Sequence, residues 1–162
     1  MTDPVLPFSA TLEVRDRCLC FRTQRAARAL ARRFDAAFRR FGLTNGQFSL
    51  LMSLNRPAPP PMGEVAAFLA MDRTTLTAAL KPLFRRGLVE ARADPKDGRT
   101  RRLGLTDDGR ALLAEALPVW RAEHDRVDDA LRALEVALDP DLLKEGIGQM
   151  GSLDRPAGDA DR

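Results

Sequence analysis

The sequence predicts a mainly α chain with one small two-stranded β-wing, its two ends given over to long helices. Three observations predict it. Apolar residues recur at three- and four-residue steps along most of the chain. Residues 88–105 lose that period and fold back about the turn sequence Asp94-Pro95-Lys96-Asp97-Gly98. From Leu113 to Leu138, steps of four and three alternate without a break, a 3.5-residue period that suits a helix packed lengthwise against another. The 162 residues suffice for one core plus an interaction arm. No apolar run approaches the roughly 18 residues of a membrane span, and the start lacks a signal-peptide pattern, so a cytoplasmic protein with no membrane partner is expected.

Taken in order, residues 1–11 carry two prolines and no period, and read as an irregular arm. Leu12 to Phe41 reads as one long helix with Ala27, Leu30, Phe34, Ala37 or Phe38, and Phe41 on one face, stopped by Gly42. Thr44 caps a short helix to about Leu54, whose buried side is Phe48, Leu51 and Met52. Pro57 to Pro61 form a stiff connector that excludes helix and central strand. A short helix follows over Gly63 to Ala70. Asp72 then caps a helix to about Arg86, ended by Gly87. Its inner stripe of Leu76, Leu80 and Leu83 continues in phase past Pro82, which predicts a kink and not a stop. Leu88–Ala93 and Thr100–Leu105 read as the two strands of a hairpin, with Arg101, Leu103 and Leu105 on one face. Thr106 and two aspartates start the next helix, the acids lying at the positive end of its dipole. Its seam is Leu113, Leu117, Trp120, His124, Val127, Leu131, Leu134 and Leu138, with a gentle kink at Pro118. Asp139-Pro140 restarts a helix, and residues 154–162 are expected to be disordered.

Charge is distributed unevenly. Residues 1–106 hold 17 Arg and 2 Lys against 9 acids, a net of +10; residues 107–162 hold 6 Arg and 1 Lys against 14 acids, a net of −7. A basic first part points to a polyanionic partner, and the preference for arginine suits forked contacts to phosphates and base edges. Enzyme classes are disfavoured. The chain has one histidine and no tyrosine, and it lacks a phosphate loop, a nucleophile elbow and a metal-spaced cluster. No cofactor or metal is expected, and two cysteines cannot form a disulfide framework.

Three short helices followed by a two-stranded hairpin within 44–106 make a winged helix-turn-helix, flanked by terminal helices that would build a dimer. In such a unit a short helix braces a second that enters the major groove of double-stranded DNA. Arg73, Thr74, Thr77, Ala78 and Lys81 fall opposite the leucine stripe and supply the small, polar and cationic face this requires. Lys96, Arg99, Arg101 and Arg102 on the hairpin suit phosphates or a narrow minor groove. Asp97, which DNA would repel, is expected to order the wing. The plain alternative for each residue is a solvated surface charge.

The motif Asp97-x-Arg99-x-x-x-Leu103-x-Leu105-Thr106 resembles the wing motif of the MarR-type regulators, with leucine at the usual valine position. Thr75-Leu76-Thr77 and Arg86-Gly87-Leu88-Val89 match that family's recognition helix and its exit. Leu43-Thr44-x-x-Gln47-Phe48 matches its second helix, and the resemblance spans roughly residues 13–150. It implies an obligate homodimer on a pseudo-palindromic operator, usually repressing nearby genes and released by a small-molecule effector. The cationic face at Arg22 and Arg25 suggests an aromatic acid or an acyl thioester. The implied division is an arm over 1–11, a dimerisation region over 12–43 and 107–153, a DNA-binding domain over 44–106 and a tail over 154–162.

An alternative is a cysteine-based redox or peroxide-sensing repressor. Leu19-Cys20-Phe21, 24 residues before Thr44, resembles the reactive-cysteine site of the peroxide-sensing OhrR branch, and Arg17 and Arg22 stand near enough in sequence to favour a thiolate. That branch holds its cysteine with tyrosines. Here Phe34 and Asn45 stand at the corresponding positions, and the plain alternative is a buried cysteine acting as a small hydrophobe. Cys20, Arg22, Phe48, Met52 and Trp120 are the candidate residues for an effector pocket or redox site. His124, on the seam, is read as a hydrogen-bonded interface residue.

Overall fold

The computed structural model describes the backbone over residues 6–133 and side chains over 6–130. Its elements run α1 (Phe8–Arg17), α2 (Leu19–Phe38), a 3-10 turn (Arg39–Phe41), α3 (Asn45–Leu54), α4 (Met62–Phe68), α5 (Arg73–Arg85), β1 (Val89–Ala93), β2 (Arg101–Leu105) and α6 (Asp107–Ala133). The chain divides into two units, Met1–Arg121 and Ala122–Arg162.

The amino-terminal part departs from the sequence reading twice. The helix begins at Phe8, directly after Pro7, so residues 8–11 are not an irregular arm. The long helix is interrupted at Cys18, whose φ of −70° and ψ of 107° are extended. The interruption is brief, because the Cys18 amide still donates to Val14 and its carbonyl accepts from Arg22. Period alone misses such a break. α1 buries no residue and α2 buries only Phe34 and Phe38, so no core contact fixes the phase of residues 8–33.

From Gly42 onward local chemistry sets the boundaries. Thr44 and Gln47 form a reciprocal capping box at α3: the Thr44 hydroxyl accepts from the Gln47 amide and the Gln47 side chain from the Thr44 amide. Asp72 caps α5, and Gly87, with φ of +68°, closes it in the left-handed conformation glycine adopts without strain. Ala70 takes φ of +51° in the turn between α4 and α5, at a cost of about 1 kcal/mol that the packing of the two helices sustains. α5 passes through Pro82 because Leu76, Leu80 and Leu83 are each at most 1% exposed. Leu83 lies beyond the proline, and its burial, at about 1.5–3 kcal/mol, offsets most of the roughly 3 kcal/mol cost of one internal proline.

β1 and β2 pair antiparallel, Val89 opposite Leu105 and Ala93 opposite Arg101. The proline connector contributes to this sheet. The Leu103 amide donates to Pro60 (2.9 Å), and Pro61 bridges Arg102. Proline fits this role because an edge segment can accept without donating. The core joins Phe34, Phe38, Phe48, Leu51, Leu76, Leu80, Leu83, Leu103 and Leu113. On α6, Leu113 and Ala116 are buried, while Leu117 and Trp120 are half-buried. In the second unit Glu123 is buried and pairs with Arg126 (2.9 Å), and His124 and Val127 are half-buried. The side chain of Leu131, the seam positions Leu134 and Leu138, the helix start at Asp139-Pro140 and the tail over 154–162 lie outside the described residues.

Candidate nucleic-acid interface

Arg73, Thr74, Thr77, Ala78 and Lys81 are all exposed on α5, on the side away from the buried leucines. Asp72 fixes the start of this face. Its carboxylate accepts from the Thr75 amide (2.8 Å) and the Thr75 hydroxyl (2.7 Å), which hold the Asp72 carboxyl below the usual carboxylate range. The Thr77 hydroxyl donates to the Arg73 carbonyl (2.7 Å), so its proton is committed and its lone pairs remain as acceptors. The Arg73 guanidinium rests over Gly63 of α4, 3.7 Å from where a Cβ would stand.

The wing is ordered by two aspartates. Asp97 accepts from the Arg99 amide (3.0 Å) and the Thr100 hydroxyl (2.8 Å). Asp94, absent from the sequence-derived candidates, does more. It accepts from the amides of Lys96 (2.7 Å) and Asp97 (3.3 Å) and from Nε of Arg102 (2.6 Å). These contacts, the Lys96 amide foremost, hold its carboxyl below the usual range. Arg102, expected on phosphate with the others, is instead held within the protein, since Nη1 also donates to the Pro59 carbonyl (2.9 Å). The geometry makes it the bolt between wing and proline connector. Lys96, Arg99 and Arg101 stand exposed at the hairpin. The Asp-Pro turn signalled a hairpin, but nothing in sequence distinguished the structural arginine from its neighbours.

The five candidates for an effector or redox site do not converge. Phe48, Met52 and Trp120 line one cavity of about 360 Å³ with Ser49, Ser53, Phe68, Leu69 and Leu117. Its flat walls come from stacked rings: Phe48 lies 4.5 Å from Phe38 and 6.3 Å from Trp120, inclined by 22° and 19°. Cys20 and Arg22 lie elsewhere. Cys20 is exposed in the first turn of α2, and Arg22 edges a separate groove with Arg25, Arg28 and Arg32. The reason is helix length. Eighteen residues separate Cys20 from Phe38, which stacks on the cavity wall, and they span roughly 27 Å of helix. Arg17, expected beside the thiol, is paired with Glu13 (2.7 Å). Among the described residues no group of three or more His, Cys, Asp or Glu is placed to hold a metal, and no helix is long and apolar enough to cross a membrane.

Comparison with known proteins agrees with this architecture. The MarR family model matches residues 43–100. The transcriptional activatory protein BadR of Rhodopseudomonas palustris is 32% identical over 122 residues, covering 73% of this chain and 69% of that protein. The M. tuberculosis transcriptional regulator MosR in complex with DNA is 36% identical, with a TM-score of 0.68 over 85% of this chain and 96% of that one. The transcriptional repressor CouR bound to a 23-mer DNA duplex is 28% identical, with a TM-score of 0.65 over 93% of this chain and 99% of that one. A capped, leucine-backed α5 with an exposed cationic face, a wing ordered by its aspartates and these likenesses together place the chain in the MarR family of winged-helix, DNA-binding transcriptional regulators.

Proposed function

We propose that this regulator binds a pseudo-palindromic operator in double-stranded DNA as a homodimer, represses the adjacent genes and is released by a small-molecule effector. The observation that carries the reading is the α5 face: Arg73, Thr74, Thr77, Ala78 and Lys81 share one exposed side of a helix braced by α4 and flanked by the cationic wing. Residues 44–106 serve as the DNA-binding part, with Lys96, Arg99 and Arg101 on phosphates or the minor groove and Asp97 and Asp94 ordering the wing. Repression is proposed by likeness to CouR, a transcriptional repressor that binds a DNA duplex.

The terminal helices serve as the dimerisation region, to which the helix starting at Phe8 also belongs in this reading. Leu6, just before α1, and Phe8, Val14, Leu19, Phe21 and Leu30 along α1 and α2 are 41–77% exposed, a concentration that a second copy would cover. Sedimentation at micromolar concentration is expected to give about twice 17.9 kDa. A monomer at that concentration contradicts the symmetric-operator reading.

The cavity beside Phe48 and Trp120 is the effector site in this reading. Its lining is aromatic, aliphatic and seryl, without a charged side chain. A carboxylate enclosed there would be unpaired, so an aromatic acid must leave its charge at the mouth. An acyl thioester would insert only its acyl group, because a cavity of about 150 Å³ already holds a benzene ring while this one is little more than twice that size. Trp120 is the sole tryptophan and the chain has no tyrosine, so intrinsic fluorescence reports this cavity directly. Titration with flat aromatic acids and acyl thioesters should change Trp120 emission in parallel with DNA release. DNA release with unchanged emission places the effector elsewhere.

The helix break at Cys18 and the exposure of Cys20 favour a second reading, a thiol switch in which a hydroperoxide oxidises Cys20 and loosens α1 from α2. Loss of the oxidant response in Cys20→Ser, with DNA binding intact, distinguishes it from effector release.

A further inference from the structure

The residue that follows α5 commits its guanidinium to a contact within the protein. Arg86 donates through Nη1 to the Gly42 carbonyl (2.6 Å) and through Nη2 to the Phe41 carbonyl (3.0 Å). Those carbonyls end the 3-10 turn that closes α2, 44 and 45 residues earlier. Gly42 has φ of +62°, and the guanidinium lies 3.7 Å from where its Cβ would be, so the turn is open to this approach. The fork meets carbonyls at the negative end of the helix dipole, which favours a cation there. Two donors of one rigid plane on adjacent carbonyls fix an angle as well as a distance, which a single ammonium does not. On the other side of the same corner, Asp35 of α2 accepts from the Asn45 amide at the start of α3 (2.6 Å).

The leucine stripe of α5 holds the helix against the core, but leucines resist rolling and sliding weakly because their contacts are non-directional. The Arg86 fork is directional and joins the end of α5 to the end of α2. We infer that Arg86 is a positioning residue for operator recognition: it sets the angle between the DNA-reading helix and α2, and through it the half-site separation that a dimer accepts, without itself touching DNA. This rests on the proposed function, in which α2 belongs to the dimerisation region and α5 reads the major groove. The competing role for an exposed arginine at this place is a phosphate contact.

The two roles separate in one experiment. Wild-type protein first selects duplexes from a random-sequence pool. The selected duplex, and versions with the centre one base pair longer or shorter, are then bound by wild type, Arg86→Ala and Arg86→Lys across a salt series. Arg86→Ala is expected to lose about tenfold on the selected spacing, as for one charge-assisted contact. It is also expected to lose most of its preference over the altered spacings and to keep the wild-type salt slope. Arg86→Lys should fall between the two. A salt slope reduced by about one unit with spacing preference intact assigns Arg86 to a phosphate and overturns the inference. So does an unchanged spacing preference in whichever variant retains the wild-type melting temperature. A wild type that selects no sequence removes the DNA-binding reading and this inference together, whereas variants that keep the spacing preference remove this inference alone.

Discussion

Alanine at Gly109 is expected to lower the melting temperature by about 10 °C, taking ~3 kcal/mol of overpacking at the 2–4 °C per kcal/mol usual for a chain of this size. The sign is informative, because glycine to alanine inside a helix ordinarily stabilises by about 1 kcal/mol. Gly109 lies buried in the first turn of α6, where a Cβ would overlap the Leu88 carbonyl oxygen. That oxygen accepts from the Thr106 amide (3.2 Å). The Thr106 hydroxyl donates to Gly87 (2.6 Å) and accepts from the Gly109 amide (3.0 Å). The start of α6 is therefore seated on the corner between α5 and β1, backbone against backbone, and no flexible side chain can yield. A Gly109→Ala protein melting within about 2 °C of wild type would show that the corner has room.

Asp94→Ala is expected to weaken operator binding by about tenfold to a hundredfold, the range for removing one partner from a shielded hydrogen-bonded set. Asp97→Ala should weaken it by about tenfold. Each variant removes a negative charge from the proposed DNA-contacting wing, so a simple electrostatic surface predicts tighter binding for both. The geometry reverses the sign. Asp94 holds two backbone amides and the Arg102 guanidinium with its side chain 9% exposed, and Asp97 holds the Arg99 amide. Without them Lys96, Arg99 and Arg101 lose their common placement. Because the folded Asp94 carboxyl titrates below its ordinary value, its stabilisation is fully present above pH ~4 and is lost as pH falls through the lower folded value. Acid melts of wild type should therefore fall more steeply below pH ~4 than those of Asp94→Asn. Tighter binding by Asp97→Ala at every salt concentration would mean that the wing is only a charged patch.

The parts of the fold set by adjacent residues were legible in the sequence. Thr44, Asp72 and Gly87 bound their helices, the leucine stripe carried α5 through Pro82, and the Asp-Pro turn gave the hairpin. What escaped depends on contacts between distant residues or on a face without contacts. α1 buries nothing, so neither its start at Phe8 nor its end at Cys18 leaves an apolar signature. The pairing of Pro60 with Leu103, the Arg102 bond to Pro59 and the Arg86 bonds to Phe41 and Gly42 join residues more than 40 apart. Of the proposed site, the exposed α5 face was visible from period and residue type. The cavity was visible only as three apolar residues, and its separation from Cys20 and Arg22 follows from the length of a helix that has to be seen whole.

Selection of binding sequences from random duplex DNA, repeated with Arg73→Ala and Thr77→Ala, tests whether α5 reads base pairs. Wild type should enrich two-fold-symmetric half-sites with centres about 10 base pairs apart. Arg73→Ala should lose preference at particular base pairs within each half-site, by about 1–3 kcal/mol for a lost bidentate contact, and Thr77→Ala should lose less, its hydroxyl offering only an acceptor and its methyl an apolar contact, while non-specific binding and salt slope stay near wild type. Uniform weakening on all sequences, or enrichment of no symmetric sequence by the wild-type protein, would contradict the assignment of α5 as the helix that reads DNA.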